Sequence, residues 1–549
     1  MAPTPRAQFS FDGGPRAVRA EFGAVTSVEP HATRAGIAIL EQGGNAIDAA
    51  VAVAYALAVT HPSAGNLGGG GFLLVRPKGG PTAALDFRES APLALTRPRF
   101  DAMQRAGGMG PVAVGVPGSV AGLELAHDRF GRLPRPAVLA PAIELARGHT
   151  LGAHQAALLA GSFNALSLDP AARVIFGKEK KPLSAGQRLV QRDLAATLKR
   201  IADRGRDGFY TGPTASALTG LARGLISSTD LSAYQAKWRD PLRFDYHGLT
   251  VEVMPAPSAG GVALTQMLLM LQALHAEALA RDSAAEMHYF IEVARRAQAE
   301  RRFGVIDPDA LSPTEVAQKR ARWLDPNTWL GPSPIDPEHA TPSASLRSKA
   351  DDGALESEHT THFSVIDADG NMVASTLTVN LEFGSAFVAK GTGVVLNDEM
   401  DDFALVPGQP NAFGLRGALA NAPEPGKRML SSMSPSFVFG ADRTAVIGSP
   451  GGSTIITQVL EGILAFIDGK SATQITAQKR YHHQYLPDRV DVEAGVFDDA
   501  TAKALTDMGH VLRNRSPWGF MNVVTWDHRT NTLDAASDPR RPSGLGKVQ

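Results

Sequence analysis

Two adjacent threonines, Thr360 and Thr361, open a run that is typical of a buried strand. The letters "EHTTHFSVIDADGN" cover residues 358–371, with strand-like residues at 363–366 and turn residues at 367–371. A chain cut before Thr360 would give this residue both a hydroxyl group and a free α-amine. An α-amine has a pKa of about 7.7 to 8.0, so it can act as general base for the hydroxyl of its own residue. Thr360 is therefore either a catalytic nucleophile or an ordinary residue at the start of a strand.

The segment upstream of Thr360 has no hydrophobic periodicity. Residues 331–359 contain four prolines and five serines, together with charges of both signs. Long loops of this kind are usually functional or disordered, and exposed flexible stretches are where chains are cut. The segment is either a flexible interdomain linker or a processing segment whose last residue is His359.

A glycine pair, Gly451 and Gly452, offers a place for a developing negative charge. It lies in "GSPGGSTIITQVLEGILAFID", between a short predicted strand and an amphipathic predicted helix. Backbone N–H groups at a helix N-terminus can bind an oxyanion, and glycine allows a close approach. A tight strand-to-helix turn would account for the same letters.

Two further motifs carry polar side chains in pairs. "MDDF" (residues 400–403) offers carboxylates, and "LSSMSP" (residues 430–435) offers hydroxyls, although either could be only a turn or a helix cap. The adjacent His482 and His483 would point to opposite sides of a strand, which suits a shared metal poorly. We therefore predict no metal and no cofactor.

The composition excludes several classes of protein. The chain has 549 residues, of which 44% are hydrophobic and 20% charged, and its formal net charge is -1. These values fit a globular protein and give no sign of a nucleic-acid or anionic-membrane partner, since both favour basic patches. The absence of cysteine excludes disulfides, thiolate metal sites and a cysteine nucleophile.

No secretion signal or membrane span is expected from the apolar runs. The first residues lack the apolar stretch of a signal peptide, and the longest run, residues 46–59, is too short to span a bilayer. This run instead predicts a buried helix with Asn45 as its N-cap. The chain as given is then either cytoplasmic or an exported protein whose signal has been removed.

The predicted elements change in character along the chain. Helical spacing dominates residues 21–329, and "GVALTQMLLMLQALHAEAL" (residues 261–279) places leucines at positions 264, 268, 271 and 274. After residue 363, apolar runs alternate with the turn letters "DADGN", "GADR" and "DHRTN", which predict hairpins and an antiparallel sheet.

Ten motifs in order resemble the γ-glutamyltransferase (γ-glutamyltranspeptidase) family, over about residues 24–540. They are QGGNAIDAAVAVAYALAVTHPSAGNLGGGGF, DFRESAP, AVGVPGSVAGL, PAPSAGG, TTHFSVIDADGN, NDEMDDF, LSSMSPS, GSPGGS, HHQYLPD and ASDPR. The resemblance implies an N-terminal-nucleophile hydrolase, made as one precursor that cleaves itself between His359 and Thr360. Residues 1–359 would form a large subunit that ends in the processing segment, and residues 360–549 a small catalytic subunit.

The resemblance also implies the fold and the partners. The fold would be α+β, a four-layer αββα sandwich in which both halves of the cleaved precursor make one structural domain. The two subunits would remain together as a heterodimer. The donor would be glutathione or a related γ-glutamyl compound, and the acceptor would be water, an amino acid or a peptide.

The resemblance assigns a role to each matching residue. Thr360 would attack the γ-glutamyl amide, assisted by the Thr378 hydroxyl, with the oxyanion at Gly451 and Gly452. One group would hold the α-carboxylate of the substrate: Arg88, Ser431 and Ser432. Another would surround its α-ammonium: Asn380, Glu399 and Asp402.

Three departures from the family pattern affect the expected activity. Phe413 stands in the active-site lid where bacterial relatives often have tyrosine, which leaves the balance of hydrolysis and transfer open. Glu382 adds a negative charge that is expected near the site. The usual export signal is missing, and a periplasmic or secreted protein with a trimmed signal is expected from the family.

Two alternatives to this activity remain. A cephalosporin (glutaryl) acylase of the same fold would have less use for Glu399 and Asp402, because a glutaryl group has no α-ammonium. An uncleaved, non-catalytic relative would bind γ-glutamyl compounds without turning them over.

Overall fold

The architecture is taken from a computed structural model of the chain. It describes residues 21–96, 98–99, 101–102, 110–221, 226–330, 334–346, 360–405, 409, 417–541 and 543–549. The predicted cleavage residue His359 and the lid residue Phe413 lie outside the described residues.

The described helices and strands follow one another through the whole chain. Helices α1 to α18 are, in order, Pro30–Glu41, Ala46–Thr60, Ser119–Phe130, Arg135–Arg147, Ala153–Leu166, Pro170–Phe176, Arg192–Arg204, Asp207–Tyr210, Gly212–Leu221, Ser228–Ala233, Ala259–Ala273, Ala284–Gly304, Pro313–Trp323, Pro326–Leu330, Ser343–Leu346, Ile455–Ile467, Ala472–Ala477 and Asp499–Asp507. Strands β1 to β22 are, in order, Gly23–Ser27, Gly70–Arg76, Ala83–Asp86, His149–Thr150, Gly177–Lys178, Lys181–Pro182, Arg188–Leu189, Lys237–Arg239, Leu242–Tyr246, Leu249–Val253, Thr360–Asp367, Met372–Thr378, Val388–Ala389, Val394–Val395, Ser436–Phe439, Arg443–Gly448, Tyr481–His482, Val490–Glu493, Leu512–Arg515, Asn522–Asp527, Thr532–Ser537 and Leu545–Val548.

Two antiparallel sheets form the centre of the molecule. The seven-stranded sheet has the order β22-β1-β11-β12-β2-β3-β8, and the six-stranded sheet has the order β21-β20-β16-β15-β10-β9. Strand β1 lies between β11 and β22, and β10 pairs with β15, so each sheet joins strands from both sides of residue 360. The three predicted hairpins, β11–β12, β15–β16 and β20–β21, are confirmed.

Side-chain alternation along the strands creates two hydrophobic layers. On β11, Phe363 and Val365 pack into a cluster with α1 and α2, whereas Ile366 belongs to a second cluster. The second cluster includes the inner face of the seven-stranded sheet, the six-stranded sheet, and helices α11, α12 and α16. Helices thus cover the outer face of each sheet, and the predicted α+β fold with four αββα layers is confirmed.

Helix α2 is buried along its whole length, as its sequence predicts. The Asn45 side chain accepts hydrogen bonds from the backbone N–H groups of Ile47 and Asp48, and the Asp48 carboxylate accepts one from Asn45 N–H. This reciprocal cap fixes the start of α2. No helix among the described residues is both long and apolar enough to cross a bilayer.

Two elements differ from the sequence prediction. The helical pattern through residue 279 ends early, because Leu274 is the C-cap of α11 and His275 has a left-handed φ of 52°. Part of the predicted flexible segment is also fixed to the body. Ser343 N–H donates to an Asp488 carboxylate oxygen at 2.7 Å, and Ala340 N–H donates to the Met508 carbonyl at 2.7 Å.

Candidate active site

Thr360 and Thr378 are cross-strand neighbours at the end of the β11–β12 pair. Thr360 is the first residue of β11, and in the antiparallel register it stands opposite Thr378, the last residue of β12. Residues directly opposite each other in such a ladder have Cβ atoms about 4.5–5.5 Å apart. The two side chains line the same small pocket and are buried.

This pocket gathers most of the residues that the sequence singles out. Its lining consists of Thr360, Thr378, Asn380, Glu399, Asp402, Ser431, Ser432, Met433, Gly452 and Ile455. Arg88 and Gly451 are not among the lining residues, but Arg88 is ion-paired with Asp402 and Gly451 immediately precedes Gly452. Hydroxyl, amide, carboxylate and backbone groups from five separate stretches of chain therefore converge on one pocket.

The Thr378 hydroxyl is held in place by its own loop. Asn380 N–H donates to Thr378 Oγ1 at 2.8 Å, in a turn where Asn380 has a positive φ of 74°. The carbonyl of Thr378 accepts from the Asn66 amide at 2.7 Å, and Asn66 Oδ1 accepts from Gly69 N–H at 3.0 Å. Asn66 and the glycine-rich turn after it thus position Thr378, a role that sequence reasoning missed.

The glycine pair forms the turn into α16 next to the pocket. Gly451 and Gly452 have φ values of 135° and 57°, and a 3-10 turn over Gly452–Thr454 leads into the helix. A Cβ atom on Gly451 would lie 2.6 Å from the side chains of both Gln458 and Thr454. The first backbone N–H groups of a helix have no acceptor within it, so this turn can present N–H donors to an oxyanion in the pocket.

The Arg88 guanidinium is fully buried and uses all five of its N–H donors within the protein. Nη1 donates to the carboxylates of Glu89 and Glu399, and Nη2 donates to the Asp402 carboxylate and to the Leu430 carbonyl. Nε donates to the Met429 carbonyl at 3.4 Å. A substrate carboxylate can therefore bind Arg88 only by displacing one of these acceptors.

Burial raises the pKa values of the three carboxylates around Arg88. Burial raises the pKa of Glu399 well above its ordinary value; Arg88 opposes this, and repulsion by Glu89 and Asp402 adds to it. Burial also raises the pKa of Asp402, against Arg88 and Arg301, and raises the pKa of Glu89 to about 7. Three carboxylates thus surround the Arg88 guanidinium, and a further cation would offset their mutual repulsion.

Two buried acceptors at the pocket have no hydrogen-bond partner in the described part of the chain. They are Oδ1 of Asn380 and Oε2 of Glu399, both on residues that line the pocket. An unpaired buried acceptor costs free energy of about 1–3 kcal/mol, and each of these two could accept a hydrogen bond from an ammonium group.

The serine pair brings in a cation that sequence reasoning missed. Arg301, on α12, donates from Nη2 to Ser432 Oγ at 2.9 Å, and Met433 N–H donates to Ser431 Oγ at 3.2 Å. Arg301 belongs to the charged helical run "ARRAQAERRF", which is typical of a solvated helix face. Only the contact with Ser432 shows that Arg301 belongs to the site. It adds positive charge on the hydroxyl side of the pocket.

Within the part of the chain that the structure describes, no histidine or lysine lines the pocket. His362, two residues after Thr360 on the same strand, has its ring against the hydroxyls of Thr376 and Ser364 at 2.8 and 3.1 Å. Burial lowers the pKa of His362 to about 3, so it is a poor proton acceptor. The base nearest to the Thr360 hydroxyl in a cleaved chain would be the α-amine of Thr360 itself.

Glu382, expected near the site, is not among the lining residues. Burial raises its pKa, opposed by a hydrogen bond to Ser162 and by Arg541. Its side chain interacts with Ser162 on α5 and with Arg541 in the C-terminal segment.

Comparison with known proteins gives consistent matches along the whole chain. The family model described as Gamma-glutamyltranspeptidase matches residues 32–548. The glutathione hydrolase proenzyme of Escherichia coli is 42% identical over 547 residues, covering 96% of this chain and 92% of that protein.

Solved structures give the same result. The crystal structure of Helicobacter pylori gamma-glutamyltranspeptidase is 34% identical with a TM-score of 0.54, and the match covers 61% of this chain and 99% of that one. A cephalosporin acylase from Bacillus halodurans has a TM-score of 0.83 over 100% of this chain and 99% of that chain. At 24% identity it shows a shared fold alone.

Proposed function

Since the chain belongs to the gamma-glutamyltranspeptidase family, we propose that it is a self-processing γ-glutamyltransferase and glutathione hydrolase that uses Thr360 as its nucleophile. The observation that carries the proposal is the pocket at Thr360, where a hydroxyl pair, a glycine turn and two unpaired acceptors converge. The enzyme cleaves the amide of γ-glutamyl compounds such as glutathione and passes the γ-glutamyl group to water, amino acids or peptides. After cleavage the two subunits stay together as a heterodimer.

Maturation uses the hydroxyl that later performs catalysis. Thr360 Oγ attacks the carbonyl carbon of His359, the bond from that carbon to the Thr360 nitrogen breaks, and the nitrogen takes up the hydroxyl proton. Water then hydrolyses the resulting ester. The products are residues 1–359 and a chain that begins with Thr360 and its free α-amine.

Turnover proceeds through a γ-glutamyl ester of Thr360. The α-amine takes the hydroxyl proton while Oγ attacks the γ-carbonyl carbon, and the backbone N–H groups at Gly451 and Gly452 stabilise the oxyanion. The carbon–nitrogen bond of the substrate breaks as the leaving amine takes that proton. Water or an acceptor amine then gives its proton to the α-amine, attacks the ester, and frees the Thr360 hydroxyl.

The substrate's zwitterionic head group binds by exchange of ion pairs. Arg88 is paired with Asp402, whose side chain is 14% exposed, whereas the Glu399 side chain is 1% exposed. The incoming α-carboxylate takes the place of the Asp402 carboxylate on Arg88, with the hydroxyls of Ser431 and Ser432 beside it. The released Asp402, together with Asn380 and Glu399, accepts hydrogen bonds from the α-ammonium, so two ion pairs replace one and no charge loses its partner.

The test compares purified wild type with Thr360→Ala and Thr360→Ser under denaturing conditions by mass spectrometry. Wild type should give two chains, the smaller beginning at Thr360, and the alanine variant should remain intact. The serine variant keeps a hydroxyl and should cleave, at a reduced rate. Turnover of γ-glutamyl p-nitroanilide by the alanine variant would disprove the assignment of the nucleophile.

A glutaryl acylase of the same fold is the second candidate, and the unpaired acceptors argue against it. Oδ1 of Asn380 and Oε2 of Glu399 suit an α-ammonium, which a glutaryl group does not have. Side-by-side rates on γ-glutamyl and glutaryl p-nitroanilide separate the two. A higher kcat/KM for the glutaryl compound would reverse the assignment.

We also propose that the enzyme acts in the periplasm or outside the cell. The absence of cysteine suits an oxidising compartment, where a free thiol would be at risk. Fractionation of the native host, with the activity assayed in each fraction, tests this. Activity confined to the cytoplasmic fraction would contradict it.

A further inference from the structure

A second and much larger cavity lies on the outer side of the six-stranded sheet. It has a volume of about 900 Å³ and is bordered by α11, α12 and α16 and by the loop from residue 495 to residue 498. Cavities that bind small organic molecules have volumes of about 300–1,000 Å³. None of its lining residues belongs to the pocket at Thr360.

One carboxylate in this cavity is buried and half unpaired. Glu461, on α16, is 9% exposed; its Oε1 accepts from Tyr481 N–H at 3.0 Å, whereas its Oε2 has no hydrogen-bond partner in the described part of the chain. Burial raises the pKa of Glu461 to about 8, although Arg480 and Arg540 oppose this. A bound cation that donates to Oε2 would compensate for both the burial and the missing hydrogen bond.

Aromatic rings stand beside this carboxylate. The centroids of Phe290 and Tyr481 are 4.5 Å apart, and those of Tyr481 and Phe497 are 5.3 Å apart. With Leu464 and Ala465 they give the cavity an apolar side. Aromatic faces and apolar walls suit the body of an organic molecule, and ring faces also attract cations.

The charges of the lining favour a cation as well. Six carboxylates line the cavity, against three lysine and arginine side chains. The arginine, Arg281, is already paired with Glu286 and, at 2.7 Å, with Asp468. Lys470 donates to the Gln478 side chain, and Lys479 donates to the Gly495 carbonyl, each at 2.9 Å. The cations are thus engaged, and the excess charge is negative.

We propose that this cavity is a second binding site, separate from the catalytic pocket, for an organic amine with an aromatic or branched apolar body, whose ammonium group donates to Glu461. The ligand's apolar part lies against Phe290, Tyr481 and Phe497. The excess of carboxylates over lysine and arginine in the lining disfavours an anionic ligand.

Binding of 4-fluorobenzylamine to the processed enzyme, followed by fluorine NMR, tests the proposal. The amine should bind with a Kd of about 1 mM or tighter, and 4-fluorobenzyl alcohol, which has the same body without the charge, should bind about tenfold more weakly. Glu461→Gln preserves the shape of the side chain and should weaken amine binding about tenfold. Val496→Trp, at the half-buried rim, should obstruct the cavity and abolish the binding of both compounds.

Two matched variants separate this site from other negative charges. Glu277→Gln removes an exposed carboxylate from the rim of the same cavity, and Asp402→Asn removes one from the catalytic pocket; each should change the Kd less than threefold. The proposal is overturned if the amine does not bind. It is also overturned if either control weakens binding as much as Glu461→Gln, or if Glu461→Gln has no effect.

Discussion

Arg88→Lys is the substitution that most directly tests how the head group is bound. Arginine uses five N–H donors here, three on carboxylates and two on the carbonyls of Met429 and Leu430. Lysine keeps the charge but has three donors and no planar fork. The variant therefore leaves at least two acceptors unpaired, and it loses the two-pronged contact that the incoming α-carboxylate would make.

The expected effect depends on whether the substrate carries the carboxylate, the ammonium group or both. A charge-assisted hydrogen bond contributes about 1.5–3 kcal/mol, so losing one should lower kcat/KM about 10- to 100-fold for a substrate whose carboxylate binds Arg88. γ-Glutamyl and glutaryl p-nitroanilide both have this carboxylate. 4-Aminobutyryl p-nitroanilide has the ammonium group alone, and its kcat/KM should fall less than about threefold.

The assay measures kcat/KM for the three anilides with wild type, Arg88→Lys and the control Arg301→Lys. Arg301 donates to Ser432 at 2.9 Å and acts on Asp402 through its charge, which lysine retains, so its substitution should reduce all rates modestly. Mass spectrometry establishes that each variant is cleaved before rates are compared. If the 4-aminobutyryl compound loses as much as the γ-glutamyl one, Arg88 acts only by holding Glu399 and Asp402, and the exchange of ion pairs is refuted.

Three further predictions follow from contacts described above. Gly451→Ala places a Cβ atom 2.6 Å from the side chains of Gln458 and Thr454, at a φ of 135°. Because this displaces an oxyanion donor, it should lower kcat at least 100-fold with little change in KM. An unchanged kcat in steady-state assays would remove this turn from the mechanism. Because burial raises the pKa values of Glu399 and Asp402, protonation at low pH removes the charge that the α-ammonium needs. The KM for γ-glutamyl p-nitroanilide should therefore rise as the pH falls while that for the glutaryl compound does not, and parallel KM profiles would show that these carboxylates do not bind the ammonium. The pKa of Glu461 is about 8 in the folded protein, against an ordinary value of 4.5 for a glutamate carboxyl. The stability that comes from its neutral form is therefore fully present below pH 4.5 and is lost as the pH rises to 8. The Tm of Glu461→Gln relative to that of wild type should therefore increase between pH 4.5 and pH 8 and then remain constant. A Tm difference that does not change with pH would contradict the burial of an ionising carboxylate.

The sequence predicts the hairpins and singles out most of the residues that line the pocket at Thr360. The turn letters at residues 367–371 predict the β11–β12 hairpin. Thr360 is singled out as a candidate nucleophile because it directly follows a segment without hydrophobic periodicity. The opposition of Thr360 and Thr378 depends on the register of that hairpin, which periodicity alone does not define, because a slip of one residue would turn every side chain to the other face.

The electrostatics of the site were less accessible from the sequence. Nothing in "DFRES" or "NDEMDDF" indicates that Arg88 pairs with Glu399 and Asp402, since that requires segments more than 300 residues apart to meet. Arg301 was missed for a related reason: its helix carries so many charges that the one turned towards Ser432 cannot be distinguished by pattern. The cavity at Glu461 arises from packing between α11, α12 and α16, and has no signature in any of them.

Because each sheet contains strands from both sides of residue 360, cleavage there changes how the protein refolds. Before cleavage, β1 reaches its neighbours β11 and β22 as part of one chain, at a fixed effective concentration. After cleavage, the same pairing in a denatured sample requires two molecules to meet, and the rate becomes second order in protein concentration. Processing thus converts a fold that can reassemble alone into one whose recovery depends on dilution, so the mature enzyme depends on its barrier to unfolding.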